Sequence, residues 1–220
     1  MKRLVHISDW HCIDNMEWCT NLDNIQRKHG DDADIIVVTG DMLFNTRAWR
    51  QRQLDVEAEF QRDAWERWAL TISEFYPQTP IVAVPGNHDF CDYAIKGLVK
   101  SIDVGATTFT VGGVKFTGFR GVPYFKGHWD QEISDETMES YCRILDPTAD
   151  VLLTHTPPFG IQGGVHQIHY GSKPLMNWLE AHPGQIKAHV YGHAHEGFGQ
   201  VKVNGRIYSN AATGVQIVEI

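Results

Sequence analysis

The sequence predicts an α/β domain with mixed sheets, and three observations predict it. Short apolar runs alternate with amphipathic stretches almost from end to end of the 220 residues. Some of those runs, DIIVVT at Asp34–Thr39 above all, are continuous and β-branched, the pattern of strands buried on both faces. No internal repeat, low-complexity segment or linker divides the chain, so one domain over residues 1–220 is expected.

In chain order, Arg3–Ser8 reads as a first strand and Thr20–Lys28 as a helix, followed by the Asp34–Thr39 strand. A long helix is expected over Arg50–Phe75, where Leu54, Ala58, Trp65, Trp68, Ile72 and Phe75 draw one apolar stripe. Pro77 and Pro80 end it, and Pro80–Val84 is the next strand. Thr107–Val111 and Val114–Thr117 flank Gly112-Gly113, a two-residue hairpin turn. A helix over Asp135–Leu145, a strand over Asp150–Thr154 and a helix over Lys173–His182 follow. Ala188–Tyr191 is a short apolar strand, and Gln200–Val203, Arg206–Asn210 and Val215–Glu219 read as an antiparallel meander.

Composition narrows the class. A 42% hydrophobic and 21% charged chain is that of a soluble globular protein. No apolar run approaches the roughly 18 residues of a membrane span. The opening MKRLVHISDWHC is broken by His6, Ser8 and Asp9 and lacks the apolar stretch of a signal peptide, so a cytoplasmic protein with no membrane partner is expected. Cys12, Cys19, Cys91 and Cys142 form no CxxC pair and read as reduced thiols. A net charge of −8 with no Lys/Arg stripe makes long DNA or RNA a poor fit, although a short end could enter a pocket.

The 12 histidines carry the functional signal through their positions. LVHIS runs into Asp9 and His11, IIVVTG into Asp41, and IVAVPG into Asn87 and His88. DVLLT ends at His155, and AHVYG ends at His193 and His195. Taken singly, an Asp after a strand is ordinary turn or N-cap chemistry, and a lone His is ordinary packing. Taken together, five strand-like runs deliver metal-ligand residue types at their carboxyl ends, the edge where open α/β sheets build their sites.

Asp9-Trp10-His11, Gly40-Asp41, Gly86-Asn87-His88-Asp89, His155 and Gly192-His193-Ala194-His195, in this order, resemble the calcineurin-like metallophosphoesterases. The resemblance implies a four-layer αββα sandwich, two mixed sheets flanked by helices, with two metal ions where the strands converge. It also implies the ligand sets: Asp9, His11, Asp41 and His195 for one ion, and Asp41, Asn87, His155 and His193 for the other, with Asp41 bridging. Mixed imidazole and carboxylate donors suit divalent Mn, Fe or Zn better than Mg or Ca. A hydroxide bridging the two ions would attack phosphorus. By the same resemblance His88 protonates the leaving group or contacts the phosphoryl oxygens; the plainer alternative is that it braces Asn87.

Within the superfamily, Gly40-Asp41-Met42-Leu43-Phe44 and Gly-Asn-His-Asp depart from the pattern of the phosphoprotein phosphatases. Val114-Lys115-Phe116-Thr117-Gly118, Thr154-His155-Thr156-Pro157-Pro158-Phe159-Gly160 and His195-Glu196-Gly197-Phe198-Gly199 look instead like the small phosphodiesterase branch related to brain metallophosphoesterase-domain proteins. The resemblance thus points to hydrolysis of nucleotide-like or other small phosphodiesters. A phosphomonoesterase or pyrophosphohydrolase on the same metals, and a non-catalytic binding module, are the alternatives.

His166 and His169 in the glycine-rich loop Gly160–Ser172 are either substrate contacts, since loops after scaffold strands carry specificity, or plain loop histidines. Arg47 and Arg50 are either a phosphate clamp or the solvated start of a helix. Trp10, Trp49, Phe125 and Trp129 either stack on a base or pack in the core or rim. Cys12 reads as a small buried residue.

Overall fold

A computed structural model describes residues 1–12, 15–30, 32–163 and 170–220. The elements are β1 (Arg3–Ser8), α1 (Asn15–His29), β2 (Ile35–Val38), α2 (Arg47–Arg50), α3 (Leu54–Phe75), β3 (Ile81–Ala83) and β4 (Val99–Ser101). There follow β5 (Ala106–Val111), β6 (Val114–Phe119), β7 (Val122–Pro123), β8 (Glu132–Ile133), α4 (Asp135–Cys142), β9 (Val151–Thr154) and α5 (Lys173–Ala181). The chain continues through β10 (Ala188–Tyr191), β11 (Gly199–Val203), β12 (Arg206–Asn210) and β13 (Gly214–Glu219).

Two large mixed sheets form, with strand orders β13-β1-β2-β3-β4 and β11-β12-β10-β9-β6-β5. In each, four neighbouring strands run parallel, and antiparallel strands close one edge of the first sheet (β13 against β1) and both edges of the second (β11 against β12, β5 against β6).

The period of two along the strands explains the layers. Leu4, Ile35, Val37 and Val82 of the first sheet pack against Phe116, Val151, Leu153 and Val190 of the second, so the sheets share one core. The alternate residues Val5, Ile7, Ile36 and Val38 face Leu22 and Ile25 of α1 and Trp65, Trp68 and Ile72 of α3. On the far side, Leu152 and Tyr191 meet Met138 of α4 and Leu175 and Leu179 of α5. The result is helix, sheet, sheet, helix, as the resemblance implies. None of the four cysteines is in a disulfide. No helix among the described residues is long and apolar enough to cross a membrane.

Two expectations are corrected. The helix expected over Arg50–Phe75 is two helices, interrupted at residues 51–53, with Arg52 in the left-handed region at φ 60°. The buried Glu57 carboxylate explains the break: it accepts the backbone N–H of Thr46 (2.9 Å) and of Trp49 (3.2 Å), folding α2 back over the first turn of α3. The tail is not a meander either. Both edges of β12 are occupied, by β11 and β10, so β13 crosses to the free edge of β1 in the other sheet. The expected glycine hairpin forms, Gly112 and Gly113 both having positive φ (58° and 79°) as a type I′ turn requires.

One buried polar bridge ties the sheets together. His6 of β1 contacts Ser209 Oγ of β12 through Nδ1 (3.0 Å) and Thr39 Oγ1 through Nε2 (2.9 Å). Burial drives its pKa down to about 3, against the opposing pull of Asp9. Unfolding below pH 6.5 therefore takes up a proton that folded His6 refuses, and stability falls as the pH drops through that window. The expected cost is about 1.4 kcal/mol per pH unit, or about 3 kcal/mol from this residue at pH 4.5. Denaturant midpoints of the metal-free protein at pH 7 and 4.5 check this. The loss should be smaller in His6→Asn, and an equal loss would remove His6 as its source.

Candidate metal centre

The carboxyl ends of β1, β2 and β3 from one sheet and of β9 and β10 from the other meet at one edge. Backbone bonds lock the loops leaving them: Asp9 N–H to Gly40 O (2.9 Å), His11 N–H to Asp41 O (3.1 Å) and Gly192 N–H to His155 O (3.0 Å). Two groups of donor atoms result, Asp9–His11–His195 and Asp41–His155–His193, each with its atoms within 4.8 Å of one another. The ligand sets implied by the resemblance put Asp41 in both groups and add Asn87 to the second; here Asp41 falls only in the second group, and Asn87 stands beside it, 3.2 Å from His155 Nε2.

The local backbone is strained toward this arrangement. Asp9, His11, Asp41 and His193 all have positive φ (56°, 46°, 53° and 66°). Asp and His are among the non-glycine residues that tolerate this region best, and such conformations concentrate at functional sites. Glycine is required at two neighbouring positions. A Cβ on Gly192 would lie 2.1 Å from Asp9 Oδ2, and one on Gly86 would lie 2.2 Å from Asp41 Oδ1. Side chains there would occupy the space of the carboxylate oxygens.

The buried groups form a tightly coupled set. Asp41 Oδ2 lies 3.2 Å from His155 Nε2, and Asn87 Oδ1 is also 3.2 Å from that nitrogen. Burial disfavours charge on both partners. The pairing outweighs it, raising His155 to about 10 and holding Asp41 well below the usual carboxylate range. His155 Nδ1 donates to the Thr39 carbonyl, which leaves Nε2 as the ligating nitrogen once its proton is displaced. His195 Nε2 sits 3.2 Å from Asp9 Oδ1, and that hydrogen bond raises its pKa. Burial lowers His193 to about 4, so it stands neutral, as a ligand must. The donor set is thus imidazole nitrogens, carboxylates and one amide oxygen converging on two points, which fits a pair of divalent transition-metal ions.

His88 lies beside both groups and in neither. Its backbone N–H donates to Asp41 Oδ1 (2.8 Å), and its ring Nδ1 faces Asn45 Oδ1 at 2.5 Å. The Asn45 amide is fixed by its own bond to the His88 carbonyl (2.9 Å), so its oxygen accepts from Nδ1–H and Nε2 is the nitrogen left for the cleft. Burial lowers the pKa of the ring, with Asp41 pulling the other way. A cleft of about 330 Å³ opens over His11, Asp41, Asn87, His88, His193 and His195, walled by Tyr124, Phe125 and Trp129. A second cavity of about 550 Å³ adjoins it on the other side of His11, lined by Asp9, Trp10, Asn21, Lys28 and Phe198.

The other expected contacts fare differently. Arg47 and Arg50 are exposed on α2 and line a separate groove with Phe44 and Gln51, because the cap at Thr46 and the bonds to Glu57 turn that helix away from the cleft. The structure therefore does not place Arg47 as a clamp at the cleft. His166 and His169 lie outside the described residues. Trp10 packs edge-on against Trp68 and donates to Gly214 O (3.1 Å). Trp49 and Trp129 stack face to face at 4.4 Å. Cys12 is buried.

Sequence reasoning gave no role to Asp89, although it stands inside the Gly-Asn-His-Asp motif. Its Oδ2 accepts the backbone N–H of Asp41 (2.6 Å) and of Gly86 (2.7 Å), clamping two ligand loops together. Burial and the Asp41 charge raise its pKa to about 6. Asn45 carried no signal, since nothing in its neighbours marks it as a partner of His88.

The calcineurin-like phosphoesterase family model matches residues 2–197. A UPF0046 protein of Caenorhabditis elegans is 24% identical over 205 residues, covering 82% of this chain and 63% of that protein. The human metallophosphoesterase domain-containing protein 1 is 29% identical over 105 residues, which is 47% of this chain and 32% of that protein. The chain thus spans less than two thirds of the length of these curated relatives. Among solved structures, one titled as GAP50, the anchor in the inner membrane complex of Plasmodium, aligns with a TM-score of 0.45 at 16% identity, over 96% of this chain and 71% of that one. The family match takes in every donor residue from Asp9 to His195, and the chain belongs to the calcineurin-like phosphoesterase family.

Proposed function

We propose that the chain, acting as one unit over residues 1–220, is a binuclear-metal-dependent hydrolase of small phosphodiesters, nucleotide-like ones among them. The observation that carries this reading is the pair of donor groups, Asp9–His11–His195 and Asp41–His155–His193, side by side: His11, Asp41, His193 and His195 line the cleft, Asp9 lines the adjoining cavity, and His155 is buried behind them. Asp9, His11, Asp41, Asn87, His155, His193 and His195 would hold divalent ions there, which when bound would supply Lewis acidity toward the phosphoryl group and lower the pKa of water from about 15.7 toward about 7.

The protein's own residues do the rest. His88, with Nδ1–H committed to Asn45, presents Nε2 to the substrate and delivers a proton to the departing oxygen. Burial lowers its pKa, so the imidazolium that carries a second proton on Nε2 is the minor form at neutral pH, and it is the form that hands that proton to the leaving oxygen. The diester preference is supported by the two cavities meeting at His11, since a diester has two substituents to house and a monoester has one.

The test is hydrolysis of bis(p-nitrophenyl) phosphate by chelator-stripped protein before and after Mn²⁺ is added. Turnover only in Mn²⁺ is expected. Turnover of p-nitrophenyl phosphate in preference to the diester would replace this reading with a phosphomonoesterase. No turnover of either with Mn²⁺, Fe²⁺ or Zn²⁺ would leave a binding module.

A further inference from the structure

Glu132, on β8 at the rim of the cleft, does something that the proposed chemistry leaves unused. Its carboxylate collects five consecutive backbone N–H groups. Phe125, Lys126 and Gly127 donate to Oε2 at 2.7 Å each, and His128 and Trp129 donate to Oε1 at 3.0 Å each. Successive amides converging on one anion form a nest, here filled by a side chain of the same protein. Burial would raise the Glu132 pKa; the amides outweigh it and bring it to about 2, so the carboxylate is charged throughout the working range.

The loop held in this way, residues 125–129, ends in Trp129. That indole lies against two rings, the His88 imidazole (ring centroids 3.8 Å apart, planes tilted by 32°) and the Trp49 indole (4.4 Å, planes within 6°). Trp49 is fixed in turn by the Glu57 carboxylate, which accepts its backbone N–H and also contacts the Asn45 amide. His88 is therefore gripped twice: Asn45 holds Nδ1, and Trp129 packs against the tilted ring.

We propose that Glu132 is a positioning residue for His88, setting the 125–129 loop so that Trp129 holds the imidazole with Nε2 toward the substrate. This rests on the reading of His88 as proton donor given above. It adds that the donor's alignment depends on a carboxylate that touches neither the metal ligands nor His88. A proton donor matters most when the leaving group is a poor one. The p-nitrophenolate anion departs unaided, whereas phenolate gains much more from protonation as it leaves.

Glu132→Ala should therefore lower kcat for diphenyl phosphate by about 10²-fold, the order expected of a misplaced catalytic group. It should change kcat for bis(p-nitrophenyl) phosphate by a few-fold at most, with KM and metal content unaltered. Glu132→Gln, which keeps one acceptor oxygen for the nest, should recover most of the loss. Trp129→Ala, which leaves the nest intact, should reproduce it, and this variant decides the matter if Glu132→Ala does not fold. Equal losses on both substrates, or a change in KM alone, would overturn the proposal.

A second readout does not need turnover. Proton NMR of the His88 ring should show the ring-current shift that Trp129 imposes in the parent protein and loss of most of that shift in Glu132→Ala. An unchanged shift would also overturn the proposal. If the parent protein cleaves no phosphoester with any metal, the phosphoesterase reading fails by itself, and the NMR comparison still decides whether Glu132 positions the ring.

Discussion

Replacing His88 with Asn is expected to lower turnover of diphenyl phosphate by about 10²–10⁴-fold, the span assigned to a general acid, while two metal ions per chain stay bound. The geometry separates the two effects. The ring of His88 belongs to neither donor group; its hydrogen bond to a ligand, Asp41 Oδ1, uses the backbone N–H that Asn retains, and its edge-on contact with the His11 ring (4.9 Å) leaves the His11 nitrogens to their group. Asn is also close enough in size to keep the turn. The loss should shrink on bis(p-nitrophenyl) phosphate, whose leaving group needs no proton. Elemental analysis alongside kcat is the measurement. An unchanged rate would remove His88 from the chemistry, and loss of metal would make it a ligand.

Asp41→Asn should act on the metals themselves. Asp41 is buried, its Oδ1 takes the His88 N–H and its Oδ2 faces His155. Asn tolerates the positive φ of 53° at this position, so the fold should survive. The amide brings no charge, and its NH₂ end must point either at the donating His88 N–H or at the ligating edge of His155. If Asp41 bridges, metal content should fall from two ions per chain to below one, with a weaker apparent Kd at both sites. Loss confined to the His155–His193 site would match its place in a single donor group and remove the bridge. Normal content would remove Asp41 as a ligand.

The contrast between Asp41 and Glu132 marks what could be read from the sequence. Asp41 follows IIVVTG, a run buried on both faces, and any residue just past such a strand in an α/β sheet stands at the functional edge. The same logic exposed Asp9, Asn87, His155 and His193, because strand ends are punctuated by hydrophobicity and glycine. Glu132 works through backbone amides, which every residue has, so no pattern of side-chain types could disclose it. The interruption before Leu54 was hidden for a related reason: it is made by Glu57 reaching back to Thr46 and Trp49, and Gln51, Arg52 and Gln53 are not breaker residues. The destination of β13 was illegible because strand pattern says how a segment is buried, not which edge is vacant. Arg47 looked suitable as a clamp because it follows Asp41 closely in sequence; the cap at Thr46 sends it elsewhere.

Each donor group draws on both sheets. Asp9 and His11 follow β1 while His195 follows β10, and Asp41 follows β2 while His155 and His193 follow β9 and β10. The Asp9–His195 contact alone spans 186 positions of chain. An ion seated in either group is therefore also a rivet between the two halves of the sandwich, closing a loop almost as long as the protein, and loop-closure entropy grows with the logarithm of that span. Ligand bound only to the folded state shifts the unfolding equilibrium by mass action. On the proposed reading, the supply of metal would set how much of the chain is folded as well as how fast it turns over, so that starvation for the ion would lower the folded population along with the activity.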